Sequence, residues 1–241
     1  MKVIKLSAID STNTYLKQFA TQTPKQDEVV VVATSQKNGR GQRGAAWQSQ
    51  DGKSLTFSVL KRFEELLIAQ QTILTFVVSL AIVEVLDRFK IPDISIKWPN
   101  DIMSQRKKLA GILVENQIKG NYITSSVVGV GLNVNEIAFS DLPQATSMML
   151  ASGVSFQLDE VLDDLAVTIF KKLRSISQMD ISKVKNAYEN YLFRKAIVSV
   201  FEIGNLQCNG RILGVTSAGQ LRVAHEHGEK VYDLKEVRLL Y

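Results

Sequence analysis

The chain has 241 residues, 45% hydrophobic and 22% charged, enough to bury one large domain or a large domain with a small companion. Its 29 basic and 24 acidic residues leave a formal charge of +5 without the interleaving of Lys/Arg and aromatics that marks a nucleic-acid face. That balance fits anionic small ligands or an acidic protein partner, and the one cysteine, Cys208, excludes an intrachain disulfide and cannot hold a metal alone.

Lys2 to Ile9 alternates weakly and predicts a first strand; it lacks the apolar core and cleavage site of a signal peptide. Asp10-Ser11-Thr12-Asn13 follows, with Tyr15, Leu16 and Phe19 at helical spacing, so Asp10 or Ser11 is the expected N-cap. Capping alone suffices to explain this polar cluster; the sharper reading points hydroxyl and amide side chains at a polar ligand. Val29 to Ala33 is a continuous apolar run, the pattern of a strand buried on both faces.

A glycine-rich cationic loop comes next, Gln36 to Trp47, before a second strand at Leu55 to Leu60. Gly39, Gly41 and Gly44 spell G-x-G-x-x-G, but no helix start follows, so the dinucleotide fingerprint is rejected. Arg40 and Arg43 carry fork-shaped donors suited to carboxylate or phosphate. A long hairpin loop whose glycines only make turns is the plainer alternative. Glu64 to Phe89 carries a wide apolar stripe and is expected to be a buried helix rather than a membrane span.

In Ile94 to Asp101, Pro99 interrupts regular pairing and gathers Lys97, Asn100 and Asp101 at a strand break, or simply at a turn. Arg106-Lys107-Lys108 leads into an apolar strand whose Gly111 predicts a bulge or a close backbone approach. Lys119-Gly120-Asn121 is a hairpin turn, and the returning strand ends in Gly129-Val130-Gly131-Leu132-Asn133. Glu136 to Gly153 is expected to be an irregular loop. Two amphipathic helices follow, at Leu158 to Ile176 and Ile181 to Phe193. After Arg194 short strands alternate with turns, predicting a small barrel or sandwich of four or five strands. His225 and His227 fall in that tail as i,i+2 neighbours and read as solvated rather than as ligands.

Four features occur in one order: Ser11-Thr12-Asn13, GRGQRG with trailing Trp47, KWPND followed by KLAGILVE, and GVGLNVN. Together they resemble biotin–protein ligases over the whole chain. The resemblance implies an α+β fold: a mixed-sheet biotin/lipoate ligase-like catalytic domain at 1–194 and a small SH3-like β-barrel C-terminal domain at 195–241. It implies that biotin and ATP give biotinyl-5′-AMP and pyrophosphate, and that a carrier-protein lysine then takes the biotinyl group. By the same resemblance Ser11, Thr12, Asn13, Gln36, Arg40, Gly41, Lys108 and Gly111 would bind biotin. Arg40, Gln42, Arg43, Trp47, Asn100, Gly131 and Asn133 would bind the nucleotide. Arg40 and Lys108 would be catalytic, with Mg²⁺ accompanying ATP and no metal ligands assigned. Asp101, the nearest carboxylate in sequence, is expected as a further catalytic residue that orients or deprotonates the incoming lysine ammonium or helps position the metal.

The implied partner is the biotin carboxyl carrier domain of a carboxylase, in the cytoplasm and away from membranes; a homodimer is compatible with the sequence. Because the first catalytic strand starts at Lys2, no DNA-binding domain and no DNA partner are expected. Gln42 stands where some members carry a third arginine. The rival in the same fold is a lipoate or octanoate ligase or transferase, against which the Ser-Thr-Asn and Gln set argues, since lipoyl groups have no ureido ring to match it. A non-catalytic biotin-binding regulatory module is a second rival; Arg40 and Lys108 argue against it. Nucleic-acid binding by the basic tail is a third, whose signature would be a steep salt dependence.

Overall fold

The structure, a computed structural model, describes every residue except Ser140 and Asp141 and the side chain of Arg43; the expected nucleotide contact at Arg43 therefore lies outside the described residues. A seven-stranded mixed sheet carries most of the chain, in the order β1-β2-β3-β7-β6-β5-β4. β1 (Lys2–Ile9) and β2 (Val29–Gln36) run parallel, joined by α1 (Thr12–Gln22); every other neighbouring pair is antiparallel. These are β3 (Ser54–Leu67), β4 (Ile94–Lys97), β5 (Asp101–Ser104), β6 (Lys107–Lys119) and β7 (Tyr122–Asn133).

Both faces of that sheet are covered, which is why its central strands read as apolar runs rather than as alternation. In β2, Val29 and Val31 pack with Leu16 and Ala20 of α1, whereas Val30 joins the larger core on the other side. That larger core is built by α2 (Gln71–Arg88), α4 (Leu158–Arg174) and α5 (Ile181–Asn190). Residues Ile68–Arg88 are long and apolar enough to cross a membrane by composition, but the Val77, Val78, Ala81, Ile82, Val85 and Leu86 side chains are buried in this core.

The chain departs from its sequence pattern in four places. The helix expected from Glu64 begins only at Gln71, because β3 stays paired with β7 as far as Leu67 opposite Tyr122 and a 3-10 turn at Ile68–Gln70 makes the corner. Ladder bonds outweigh the local helical stripe there. Within Glu136 to Gly153, expected to be irregular, Ser147 caps a short helix, α3 (Met148–Ser152), by accepting from the Leu150 N–H, and Gly153 ends it at φ 77°. Ser11 occupies the N-cap position of α1 with extended backbone, yet its side chain makes no capping bond. Finally, the C-terminal strands do not close into a barrel among the described residues. β8 (Val198–Ile203), β9 (Leu206–Val215), β10 (Leu221–His225), β11 (Gly228–Tyr232) and β12 (Arg238–Leu240) form one antiparallel sheet with β11 and β12 as its edges.

The bulge expected near Gly111 is present two residues before it, where the β5–β6 register shifts between Ile102 and Met103 and Leu109 is left over. Pro99 follows a cis peptide bond, and Lys97 pairs with Asp101 so that Trp98, Pro99 and Asn100 form the turn of a β4–β5 hairpin.

Candidate active site

Four separate stretches meet above the middle of the large sheet: the N-terminus of α1, the glycine-rich loop after β2, the β4–β5 turn, and the facing segments of β6 and β7. They enclose a cavity of about 240 Å³. Ser11, Thr12, Asn13, Gln36, Arg40, Gly41, Gln42, Trp47, Asn100, Asp101, Lys108, Gly111 and Gly131 all line it. Of the expected residues with a described side chain, only Asn133 stands apart. It lines a neighbouring cavity of about 400 Å³, and its amide already donates to the Thr146 carbonyl at 2.9 Å. The two cavities share Ala46, Trp47, Asp101 and Lys108.

The loop is tied into a small hairpin. Gly41 N–H donates to Ala45 O at 2.6 Å, Trp47 N–H to Gly39 O at 2.9 Å, and Arg40 bridges Ala46. In place of a helix the loop has one 3-10 turn, Gln42–Gly44, so rejection of the dinucleotide fingerprint holds. Gly39 has to be bare, since a Cβ there would meet the Trp47 carbonyl oxygen.

Trp47 rests on a floor made by two glycines. Gly111 and Gly131 face each other across β6 and β7. A Cβ on Gly131 would lie inside the indole ring and one on Gly111 would sit 3.3 Å from it. The close approach expected at Gly111 is thus to a side chain. The Lys108 ammonium lies 5.7 Å from the indole centroid. Trp47 Nε1 is the one buried side-chain polar atom without a hydrogen-bond partner among the described residues.

Charge is gathered at the boundary between the cavities. Lys108 Nζ lies 2.8 Å from Asp101 Oδ1, and Asp101 is the only carboxylate lining either cavity among the described residues. Lys97 lines the second cavity with Tyr241, its ammonium 5.0 Å from the phenol ring centroid. Burial holds the Lys97 pKa below the usual lysine value; the Asp101 carboxylate opposes this, and the Lys108 and Arg238 charges reinforce it. Asn100 spends its amide on structure, donating to Ile112 O at 2.6 Å while Ile112 N–H returns a bond to Asn100 O at 3.0 Å.

A second part of the lining, Ser11, Thr12, Asn13 and Gln36, consists of neutral polar side chains. Ser11, Thr12 and Asn13 are all buried. Gln36 Oε1 accepts from the Thr12 backbone N–H at 2.8 Å and from its hydroxyl at 3.1 Å. The Ser58 hydroxyl lies 2.7 Å from Thr12 Oγ1 and 2.6 Å from Asn13 Oδ1. Ser11 takes the N-cap position of α1 without a side-chain capping bond. Among the described residues no group of three or more His, Cys, Asp or Glu side chains is placed to hold a metal ion.

Sequence reasoning gathers Lys97 at the strand break without giving it a role, and passes over Ser58, Glu115 and Tyr241, which come close to the cavities only through the strand register and the chain's return.

Residues 6–133 match the profile of the Biotin/lipoate A/B protein ligase family, more than half of the chain. The chain is 28% identical over 239 residues to the biotin–[acetyl-CoA-carboxylase] ligase of Paracoccus denitrificans, covering 96% of this chain and 98% of that one. It is 29% identical over 209 residues to the bifunctional ligase/repressor BirA of Bacillus spizizenii, covering 84% of this chain but 64% of that protein. Among solved structures, the biotin protein ligase of Aquifex aeolicus in complex with biotin and ATP superposes with a TM-score of 0.80 at 28% identity, over 99% of this chain and 98% of that one.

Proposed function

From the premise that this chain belongs to the biotin/lipoate A/B protein ligase family, we propose that it activates biotin with ATP and transfers the biotinyl group to a lysine of a biotin carboxyl carrier domain. The observation that carries this reading is the mixed lining of the cavity: the neutral donors and acceptors of Ser11, Thr12, Asn13 and Gln36 together with the cations Arg40 and Lys108. Biotin needs both, donors and acceptors for its ureido ring and positive charge for its carboxylate. Ser11, Thr12, Asn13 and Gln36 match the first, and Arg40 and Lys108 the second.

In the first step a biotin carboxylate oxygen attacks the α-phosphorus of ATP, and the bond to the bridging oxygen breaks to release pyrophosphate. Two anions must approach, so the work of the site is electrostatic. Lys108 and Arg40 offset the repulsion. Asp101, paired with Lys108, keeps that ammonium aimed at the boundary between the cavities. The nucleotide fits the second cavity, where Trp47, Phe139 and Tyr241 offer apolar walls and Lys97 and Lys108 offer charge. Mg²⁺ fits this donor set, because it favours phosphate oxygens and water with one or two carboxylates and Asp101 is available; bound there it would neutralise phosphate charge. In the second step the amine of the carrier lysine attacks the acyl carbon, AMP leaves with its oxygen, and a proton is lost from nitrogen. Asp101 is assigned to orient or deprotonate the incoming ammonium.

Residues 1–194 are assigned as the catalytic unit and 195–241 as the SH3-like unit, a division supported by the separate C-terminal sheet. The test is pyrophosphate release from Mg·ATP with biotin, lipoate or octanoate, first without acceptor. A burst with biotin alone, followed by turnover when a biotinyl domain is added, is the expected result. Release with lipoate instead would move the substrate, and biotin binding without release would make the protein a regulatory module. The Asp101→Asn variant is expected to slow transfer more than adenylation; equal losses would remove that role.

A further inference from the structure

Glu115, in β6, lines neither cavity, yet two groups of the site, Asn13 and Arg40, and Lys17 of α1 converge on its carboxylate. Asn13 Nδ2 donates to it at 2.9 Å, Lys17 Nζ at 2.9 Å, and Arg40 Nη1 lies 3.2 Å away. Burial pushes its pKa up, but the hydrogen bonds from Lys17 and Asn13 and the charges of Lys17 and Arg40 outweigh this and hold the carboxyl below the usual glutamate value. We propose that Glu115 is a positioning residue that sets the donor–acceptor polarity of the ureido-facing wall through Asn13 and holds Arg40 of the glycine-rich loop over the cavity.

The polarity follows from counting hydrogens. An ionised carboxylate only accepts, so the Asn13 NH₂ must face Glu115 and its Oδ1 must face Ser58. Ser58 has one hydroxyl hydrogen, and Asn13 Oδ1 has none, so that hydrogen goes to Asn13. Thr12 must then be a donor toward Ser58 or Gln36. At the far end the Thr12 backbone N–H can only donate, which fixes Gln36 Oε1 inward and leaves Gln36 Nε2 as the donor offered to a ligand. One acceptor-only group and one donor-only group thus fix Asn13, Ser58 and Gln36, and leave Thr12 a donor to one of its two neighbours. Gly129 permits the arrangement, since a Cβ there would overlap Asn13 Oδ1. Replacing Glu115 with glutamine allows an NH₂ to face Asn13, frees that amide to flip, and removes the charge that holds Arg40.

This inference rests on the proposed biotin site and is tested by calorimetric titration of biotin into the wild-type protein and the variants Glu115→Gln, Asn13→Ala, the double variant and Ser58→Ala. Glu115→Gln is expected to weaken biotin about tenfold, the scale of one charge-assisted hydrogen bond. Its loss on top of Asn13→Ala should be smaller than on the wild type, the remainder being the Arg40 contact that Asn13→Ala leaves in place, whereas a general loosening of the fold would make the two losses multiply in full. Glu115→Asp, still acceptor-only, should recover part of the affinity. Ser58→Ala, which removes the other partner of Asn13 with no change of charge, should weaken biotin as well and keeps the test open if Glu115→Gln does not fold. Unchanged affinity in Glu115→Gln or Ser58→Ala, or losses that multiply in full, overturns the proposal while leaving the site reading intact. A wild-type protein that binds no biotin overturns both.

Discussion

What glycine omits at 131 is as specific as what Lys108 supplies. The indole of Trp47 lies where a Cβ would stand, 2.2 to 2.5 Å from ring atoms, so Gly131→Ala must lift the tryptophan off the sheet. Because Trp47 separates the two cavities, Gly131→Ala is expected to raise the KM for ATP at least tenfold and the KM for biotin less, read from initial rates of adenylation. An unchanged KM for ATP would detach Trp47 from nucleotide binding. The glycines and the tryptophan were legible in the sequence as parts of a site, but not their contact, which depends on the register that sets Gly111 opposite Gly131.

Among the elements, α5 and the C-terminal sheet are joined by a buried carboxylate. Glu189 accepts from the Val215 N–H at 2.9 Å and pairs with Lys185 and Lys195. Gly214 has no Cβ where that carboxylate sits. Nearby, Trp98 Nε1 donates to Gly219 O at 2.8 Å and Thr72 Oγ1 to Ala218 O at 3.0 Å, so the β9–β10 turn holds the β4–β5 hairpin turn that carries Asn100 and Asp101. Glu189→Ala strands the Val215 N–H and is expected to cost about 2 kcal/mol, a fall of about 4–8 °C in Tm measured by thermal denaturation. No change in Tm would make the contact incidental. Most elements were readable from periodicity. The start of α2 was not, because the apolar residues of 64–67 satisfy a strand as well as a helix and only the β7 partner decides between them.

For the whole molecule, acid is the informative perturbation. Hydrogen bonds from Arg174 and Lys172 hold Glu28 and Glu84 below the usual glutamate pKa of 4.5. In Glu115 and Glu189 burial works the other way but is outweighed by the cationic and N–H partners. Groups depressed on folding contribute stability that is fully present above the unfolded pKa and is lost as pH falls through the folded one. Urea unfolding is therefore expected to give the same stability at pH 7 and pH 5.5 and a progressive loss below about 4.5. Glu115→Gln should lose less over that acidic range than the wild type. A stability that stays flat to pH 3 would mean these pairs persist in the unfolded chain.

The sequence alone determined the mixed α+β class and which stretches come together at the cavity, though not the open C-terminal sheet or the place of Asn133 beside the cavity. Apolar runs mark strands covered on both faces, and glycines, arginines and the lysine before Leu-Ala-Gly name their own chemistry. Only the tertiary structure decided that Ser11 does not cap, that Trp47 lies on a glycine floor, that Asn100 is spent on Ile112, and that Glu115 fixes the polarity of a wall it does not line. The last three depend on partners from 12 to 102 residues away, and no local pattern encodes which of a side chain's donors and acceptors a distant strand will take.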